Sequence, residues 1–85
     1  MNDTTTTLER LVSAVEALDP GLADADPDAT YHALGLDSLT LAEISLRIER
    51  DFEVPVDDTE ITEEFSLRST AQLVDEKLAH RAKEQ

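Results

Sequence analysis

Eighty-five residues without a cysteine make one small domain with a modest core, no disulfide staple and little room for a buried catalytic site. Seven Lys and Arg stand against twenty Asp and Glu, for a net charge of −13, which argues against nucleic acid as a ligand because that affinity comes from cationic neutralisation of phosphates. The start, Met1-Asn2-Asp3 and four threonines, lacks the basic and apolar regions of a signal peptide, and no apolar run reaches spanning length, so the expectation is a cytoplasmic protein without a membrane span.

The first helix is predicted from the capping box Thr6-x-x-Glu9, with Leu8, Leu11, Val12, Val15 and Leu18 at helical spacing. It should stop near Asp19-Pro20-Gly21. Gly21 to Asp37 reads as a long connection anchored by Leu22, Tyr31 and Leu34, and a loop of that length in so small a domain is either functional or strongly pinned. Asp24, Asp26 and Asp28 alternate as in a calcium loop. The sixth position is Ala29 instead of glycine, however, and the twelfth is Gly35 instead of glutamate, so these aspartates read as turn formers and no metal site is expected.

The second helix is predicted over Ser38 to Phe52, and its wheel carries two apolar stripes. Leu41, Ile44, Ile48 and Phe52 form the core stripe. Leu39, Ala42 and Leu46 form another, roughly 150° away, flanked by Glu43 and Arg50 on one side and Glu49 on the other. Two readings of this second stripe stay open. It packs under the long loop or a neighbouring helix, or it is a docking face of exposed apolar residues rimmed by charge.

Beyond the second helix, Phe52-Glu53-Val54-Pro55-Val56 reads as an extended exit, because residues before proline avoid helical geometry. A short helix is predicted from Thr59 to Phe65, burying Ile61 and Phe65. A last one starts at the capping box Ser69-x-x-Gln72, turns Leu73, Val74 and Leu78 inward and ends in the cationic His80-Arg81-Ala82-Lys83. Met1–Thr5 and Lys83–Gln85 are expected to fray. The predicted fold is all-α: a small four-helix bundle, three long helices and one short, with a long first loop, over 1–85 as a single domain ordered from about 6 to 80.

Ser38 opens the second helix, where unpaired backbone N–H groups and the helix dipole stabilise negative charge, a good position for a phosphate ester. A nucleophile elbow would need glycines two residues before and after it, and those positions hold Leu36 and Thr40. His32 and His80 are the histidines that could serve as a base, and so short a chain hardly builds the desolvated surroundings such a base requires. No catalytic residue is therefore expected. A phosphorylation switch at Ser38, or an unmodified acidic interaction module, would use the same face. The acidity fits a positively charged protein partner, or simply solubility.

The run Tyr31-His32-Ala33-Leu34-Gly35-Leu36-Asp37-Ser38-Leu39-Thr40-Leu41-Ala42-Glu43-Ile44, together with the Val54-Pro55-Val56 exit and the acidic charge, resembles the acyl carrier proteins from about Leu8 to Leu78. That resemblance implies a 4′-phosphopantetheine arm from coenzyme A, attached to Ser38 by a phosphopantetheinyl transferase, with Asp37 engaging the transferase and its metal. It implies acyl thioesters carried to loading and processing enzymes such as an acyltransferase or ketosynthase, by a monomer that is not itself a catalyst. Leu39, Ala42, Glu43 and Leu46 would be the partner-binding residues. Thr40 replaces an acidic residue frequent in fatty-acid carriers, and Gly35-Leu36 departs from the paired glycines of peptidyl carriers. The Leu36–Thr40 run looks most like discrete polyketide carriers, with fatty-acid and aminoacyl or peptidyl carriers as alternatives.

Overall fold

Among the described residues, three α-helices carry the fold: α1 (Thr4–Val15), α2 (Ser38–Phe52) and α3 (Leu67–Lys83), with a 3-10 turn at Pro20–Asp24 between the first two. The computed structural model describes residues 4–57 and 59–83. The expected tail residues 1–3, 84 and 85 lie outside the described residues. Leu11 and Val15 of α1, Ile44 and Ile48 of α2, and Leu67, Ala71 and Val74 of α3 meet in one apolar core with Tyr31.

Helix α1 starts at Thr4, so Thr6 lies in its first turn and the predicted capping box does not form the boundary. Four consecutive threonines offer near-equivalent hydroxyls, and a pattern rule cannot choose among them. Thr7 is drawn inward, donating its hydroxyl to the buried Asp75 carboxylate of α3. The α-helix closes at Val15, whose carbonyl accepts the N–H groups of Leu18 and Asp19 at 2.9 and 3.0 Å. Asp19 is extended (φ −148°, ψ 100°), as a residue before proline prefers, and its carboxylate accepts the Gly21 N–H at 3.0 Å. The 3-10 turn that follows buries Leu22.

The long connection is fastened to the start of α3 by backbone bonds. Thr30 and Ser66 form an antiparallel bridge, the Tyr31 N–H donates to Phe65 O at 2.7 Å, and the His32 N–H donates to Glu63 O at 2.8 Å. Farther upstream the Arg68 N–H donates to Pro27 O at 2.9 Å, and Arg68 Nε meets Asp28 Oδ1 at 2.7 Å. Asp26 accepts the Asp28 N–H, an Asx turn of the kind expected for these aspartates.

These bonds overturn the predicted helix at Thr59–Phe65. The segment is a series of turns, because local side chains and the long connection both compete for its backbone. The Asp57 carboxylate accepts from the Thr59 N–H and hydroxyl at 2.9 Å each, and Glu60 accepts the Asp57 N–H at 2.9 Å. Carbonyls that a continuing helix would use, at Glu63 and Phe65, are taken by His32 and Tyr31. The all-α class holds, and the described residues form three α-helices and a 3-10 turn in place of the expected four helices. Ile61 is nevertheless buried and Phe65 packs partly against the core.

Helix α3 begins two residues before Ser69, and its cap is Ser66. The Ser69 N–H donates to Ser66 Oγ at 3.1 Å while the Ser66 N–H donates to Ser69 Oγ at 2.8 Å. The reciprocal box is therefore Ser66-x-x-Ser69, one turn upstream of the predicted Ser69-x-x-Gln72. The register follows: Leu67, Ala71 and Val74 are fully buried, whereas Leu73 and Leu78 are only partly so. Val54 and Val56 point inward from the exit, with Glu53 and Pro55 exposed between and before them, in the alternation of an extended chain.

Candidate functional site

Two short devices set the start of α2. The first is the turn Thr30–Gly35. Thr30 Oγ1 accepts the Ala33 N–H at 3.1 Å, and the turn closes with Leu36 N–H to Tyr31 O and Gly35 N–H to His32 O, both at 3.0 Å. That pair of bonds is a Schellman closure, and it places Gly35 at φ +78°, a left-handed conformation that favours glycine. The second device is Asp37, extended at φ −96° and ψ 176°, whose carboxylate accepts the Thr40 N–H at 2.9 Å. Hydrogen bonds donated by Thr40, chiefly by its backbone N–H, hold the Asp37 carboxyl below the usual carboxylate range.

Ser38 is consequently the first helical residue, with its side chain on the surface. Among the described residues its hydroxyl has no hydrogen-bond partner, so it is available to a reagent from solvent. Neither histidine is hydrogen-bonded to it: His32 is exposed with Nδ1 3.7 Å from a Glu63 carboxylate oxygen, and His80 lies in the last turns of α3. A Ser–His nucleophile pair is not assembled. Beside Ser38 runs a groove of about 270 Å³ with Leu41 and Ile61 as apolar walls and Thr59, Thr62 and Glu63 as polar ones. The last three escaped sequence reasoning, since they belong to a segment read as helix and reach the site only through non-local backbone bonds.

The second stripe is on the surface. Leu39 is 68% and Leu46 65% exposed, with Ala42 half-buried between them and Glu43 exposed alongside. The alternative of packing under the loop or a neighbouring helix is thereby ruled out for both leucines. Leu41, Ile44, Ile48 and Phe52 are buried as expected, and Ser45 on that side donates to the Leu41 carbonyl at 3.1 Å. The structure thus brings Asp37, Ser38, Leu39, Ala42, Glu43 and Leu46 together along the first turns and outer face of α2. Farther along that face, a second groove of about 280 Å³ is lined by Leu18, Glu43, Leu46, Arg47 and Arg50.

A surface serine at the first helical position, capped by an aspartate and followed by an exposed apolar stripe, presents one hydroxyl for modification. Residues 6–75 match the family model described as "Phosphopantetheine attachment site", and the chain belongs to that family. It is 36% identical over 85 residues to polyketide-8 synthase acyl carrier protein 2 of Streptomyces avermitilis, a match covering 92% of this chain and 95% of that protein. It is also 36% identical over 75 residues to the non-canonical nonribosomal peptide synthetase cpsA of Aspergillus campestris. There the match covers 87% of this chain and spans 7% of the synthetase's length. No solved structure matches.

The family implies a covalently attached 4′-phosphopantetheine. The site fits such a group, because an unengaged hydroxyl lies at the positive end of a 15-residue helix, beside a groove with both apolar and hydrogen-bonding walls. No helix among the described residues is long and apolar enough to cross a membrane.

Proposed function

We propose that the chain is an acyl carrier whose arm is attached to Ser38. The observation that carries this reading is the free Ser38 hydroxyl at the first position of α2, held in place by the Asp37 cap and the Gly35 turn. In loading, Ser38 Oγ forms a bond to the phosphorus next to the pantetheine of coenzyme A. The pyrophosphate bond breaks, adenosine 3′,5′-bisphosphate leaves, and the hydroxyl proton passes to a base on the transferase. Bound there, the arm supplies a terminal thiol on which acyl groups ride as thioesters.

This chain's own residues orient and present the arm. Asp37 fixes the helix start and offers a carboxylate, unprotonated at neutral pH, to the transferase and its metal. Leu39, Ala42, Glu43 and Leu46 form the face that acyltransferases and ketosynthases grip, so that the arm is aimed into their active sites. Catalysis belongs to those enzymes and not to the carrier. Similarity over nearly the whole of a polyketide synthase carrier supports polyketide assembly as the setting. Similarity to a segment of a peptide synthetase supports an aminoacyl cargo as the second reading.

The test is incubation with coenzyme A, magnesium and a broad-specificity phosphopantetheinyl transferase, followed by intact mass. One added phosphopantetheine, absent in Ser38→Ala, is the expected result. A folded protein that gains nothing beside a working control carrier refutes the reading, and modification persisting in Ser38→Ala refutes the site. Offering malonyl and aminoacyl loading enzymes to the modified protein then separates the two cargo classes.

A further inference from the structure

In a chain of net charge −13 with seven Lys and Arg, three of the cations are already engaged. Arg68 pairs with Asp28, Lys77 with Glu60, and the Arg10 guanidinium stacks 4.5 Å above the Phe52 ring. Arg47 and Arg50, among the described residues, have no ion pair. Both line the groove that also holds Leu18, Leu46 and Glu43. Two unpaired guanidinium groups therefore flank the exposed Leu46, on a surface that is otherwise strongly acidic.

We propose that this groove receives a protein surface that seats an apolar side chain between Leu18 and Leu46 and sets a carboxylate against Arg47 and Arg50. The inference rests on the carrier reading, and it specifies the partner: an enzyme whose docking patch is locally acidic, opposite in sign to what the net charge alone would select. Guanidinium groups pair with carboxylates in a fixed, bidentate geometry, which makes the contact selective as well as attractive. Glu43 on the same groove, and the overall charge, act against phosphates and polyanions and leave a protein carboxylate as the matching group. Rim charges of this kind set the choice of partner and the encounter rate more than the final affinity.

The test uses the unmodified protein and two synthetic helical peptides of identical composition. Both carry a leucine stripe. One flanks it with glutamates and puts lysines on the back, and the other exchanges the two, so that net charge is the same and only local charge differs. Binding is followed through the methyl signals of Leu18 and Leu46 and the Nε–H signals of Arg47 and Arg50. The glutamate-flanked peptide should shift these signals and bind about fivefold tighter than its counterpart, the size expected for two exposed ion pairs, and added salt should narrow the gap. The double variant R47E/R50E should reverse the order of the peptides, and R47Q/R50Q should abolish the preference should the reversal variant fail to fold.

Equal or reversed affinities for the native protein, shifts that bypass Leu46, or a preference unchanged in the variants would each overturn the proposal. So would concentration-dependent shifts at Leu46 without peptide, which would assign the groove to a second copy of this chain. Loading of Ser38 by intact mass is independent of these readouts. A protein that loads but shows no preference loses only the groove proposal, and one that shows the preference but never loads loses the carrier reading.

Discussion

Tyr31 and Thr70 are joined hydroxyl to hydroxyl at 2.7 Å inside the core, and the direction of that bond is set by a third group. The Thr70 hydroxyl donates its one proton to the Ser66 carbonyl at 2.7 Å, so Tyr31 must be the donor to Thr70. A phenol that keeps its proton in order to donate, with its ring fully buried, resists ionisation, and burial pushes its pKa up to about 12.

Tyr31→Phe should therefore keep the ring's packing, lose one hydrogen bond and destabilise the fold by about 1 kcal/mol in urea unfolding. The pH dependence has a definite sign. The folded pKa lies above the unfolded value of 10.0, so the stabilisation is complete below about pH 10 and lost as pH rises toward about 12. The wild type should lose up to about 3 kcal/mol more than Tyr31→Phe across that window. Parallel stability curves for the two proteins above pH 10 would count against a buried, protonated Tyr31.

Two substitutions separate the observed cap at Asp37 from the transferase contact proposed for its carboxylate. Asp37→Asn keeps a side-chain oxygen for the Thr40 N–H but removes the charge, whereas Asp37→Ala removes both. The urea midpoint should fall for Ala and stay near wild type for Asn, while both slow the transferase reaction. Because the folded Asp37 pKa is depressed, its contribution to stability is present above the ordinary aspartate range and is lost as pH falls through the lower folded value. Wild-type loading rates in Asp37→Asn would remove the carboxylate from the transferase interaction.

Gly35 and Glu53 both adopt left-handed backbone, at φ +78° and +56°, so adding a side chain at the first and removing one at the second should have opposite effects. A Cβ at Gly35 would meet nothing within 4 Å, which leaves the backbone as the source of the penalty. Gly35→Ala should cost about 1 kcal/mol, and Glu53→Gly should be neutral or stabilising, since it relaxes the C-cap of α2. Thermal melts of the two variants check the contrast.

Leu46 and Ile44 lie two residues apart on α2 and should behave as members of different surfaces. Ile44→Ala, in the core, should cost about 2–5 kcal/mol. Leu46→Glu, at 65% exposure, should change stability by less than about 0.5 kcal/mol yet slow acyl transfer between the loaded carrier and a partner enzyme. A large stability loss with Leu46→Glu would mean that the outer stripe is structural.

The parts of the fold legible in the sequence are those set by local chemistry. Asp37 before Ser38, and the apolar spacing through Phe52, place α2 at the predicted bounds, whereas the exit read as extended from Phe52 opens on a left-handed Glu53 before Val54 and Val56 turn inward. The placement of Ser38, Leu39, Ala42, Glu43 and Leu46 along α2 was legible for the same reason. The errors arise where distant backbone competes. Nothing near Thr59–Phe65 announces that the Glu63 and Phe65 carbonyls will be claimed by His32 and Tyr31, and without those claims the pattern does read as a helix. The cap at Ser66 was hidden because serine replaces the usual Glu or Gln as its reciprocal partner. The groove beside Ser38 depends on that same folded-back segment, so its walls could not be assigned from residue spacing.

The fastening of the long connection to α3 begins at Pro27, not at the end of α1. From there to Asp37 the chain behaves as a strap buckled to a helix, and Ser38 inherits its coordinates from α3. The stretch between Leu22 and Pro27 is slack by comparison. Residues inserted or removed there would change the route of the chain upstream of the fastening and leave the position and direction of Ser38 to α3.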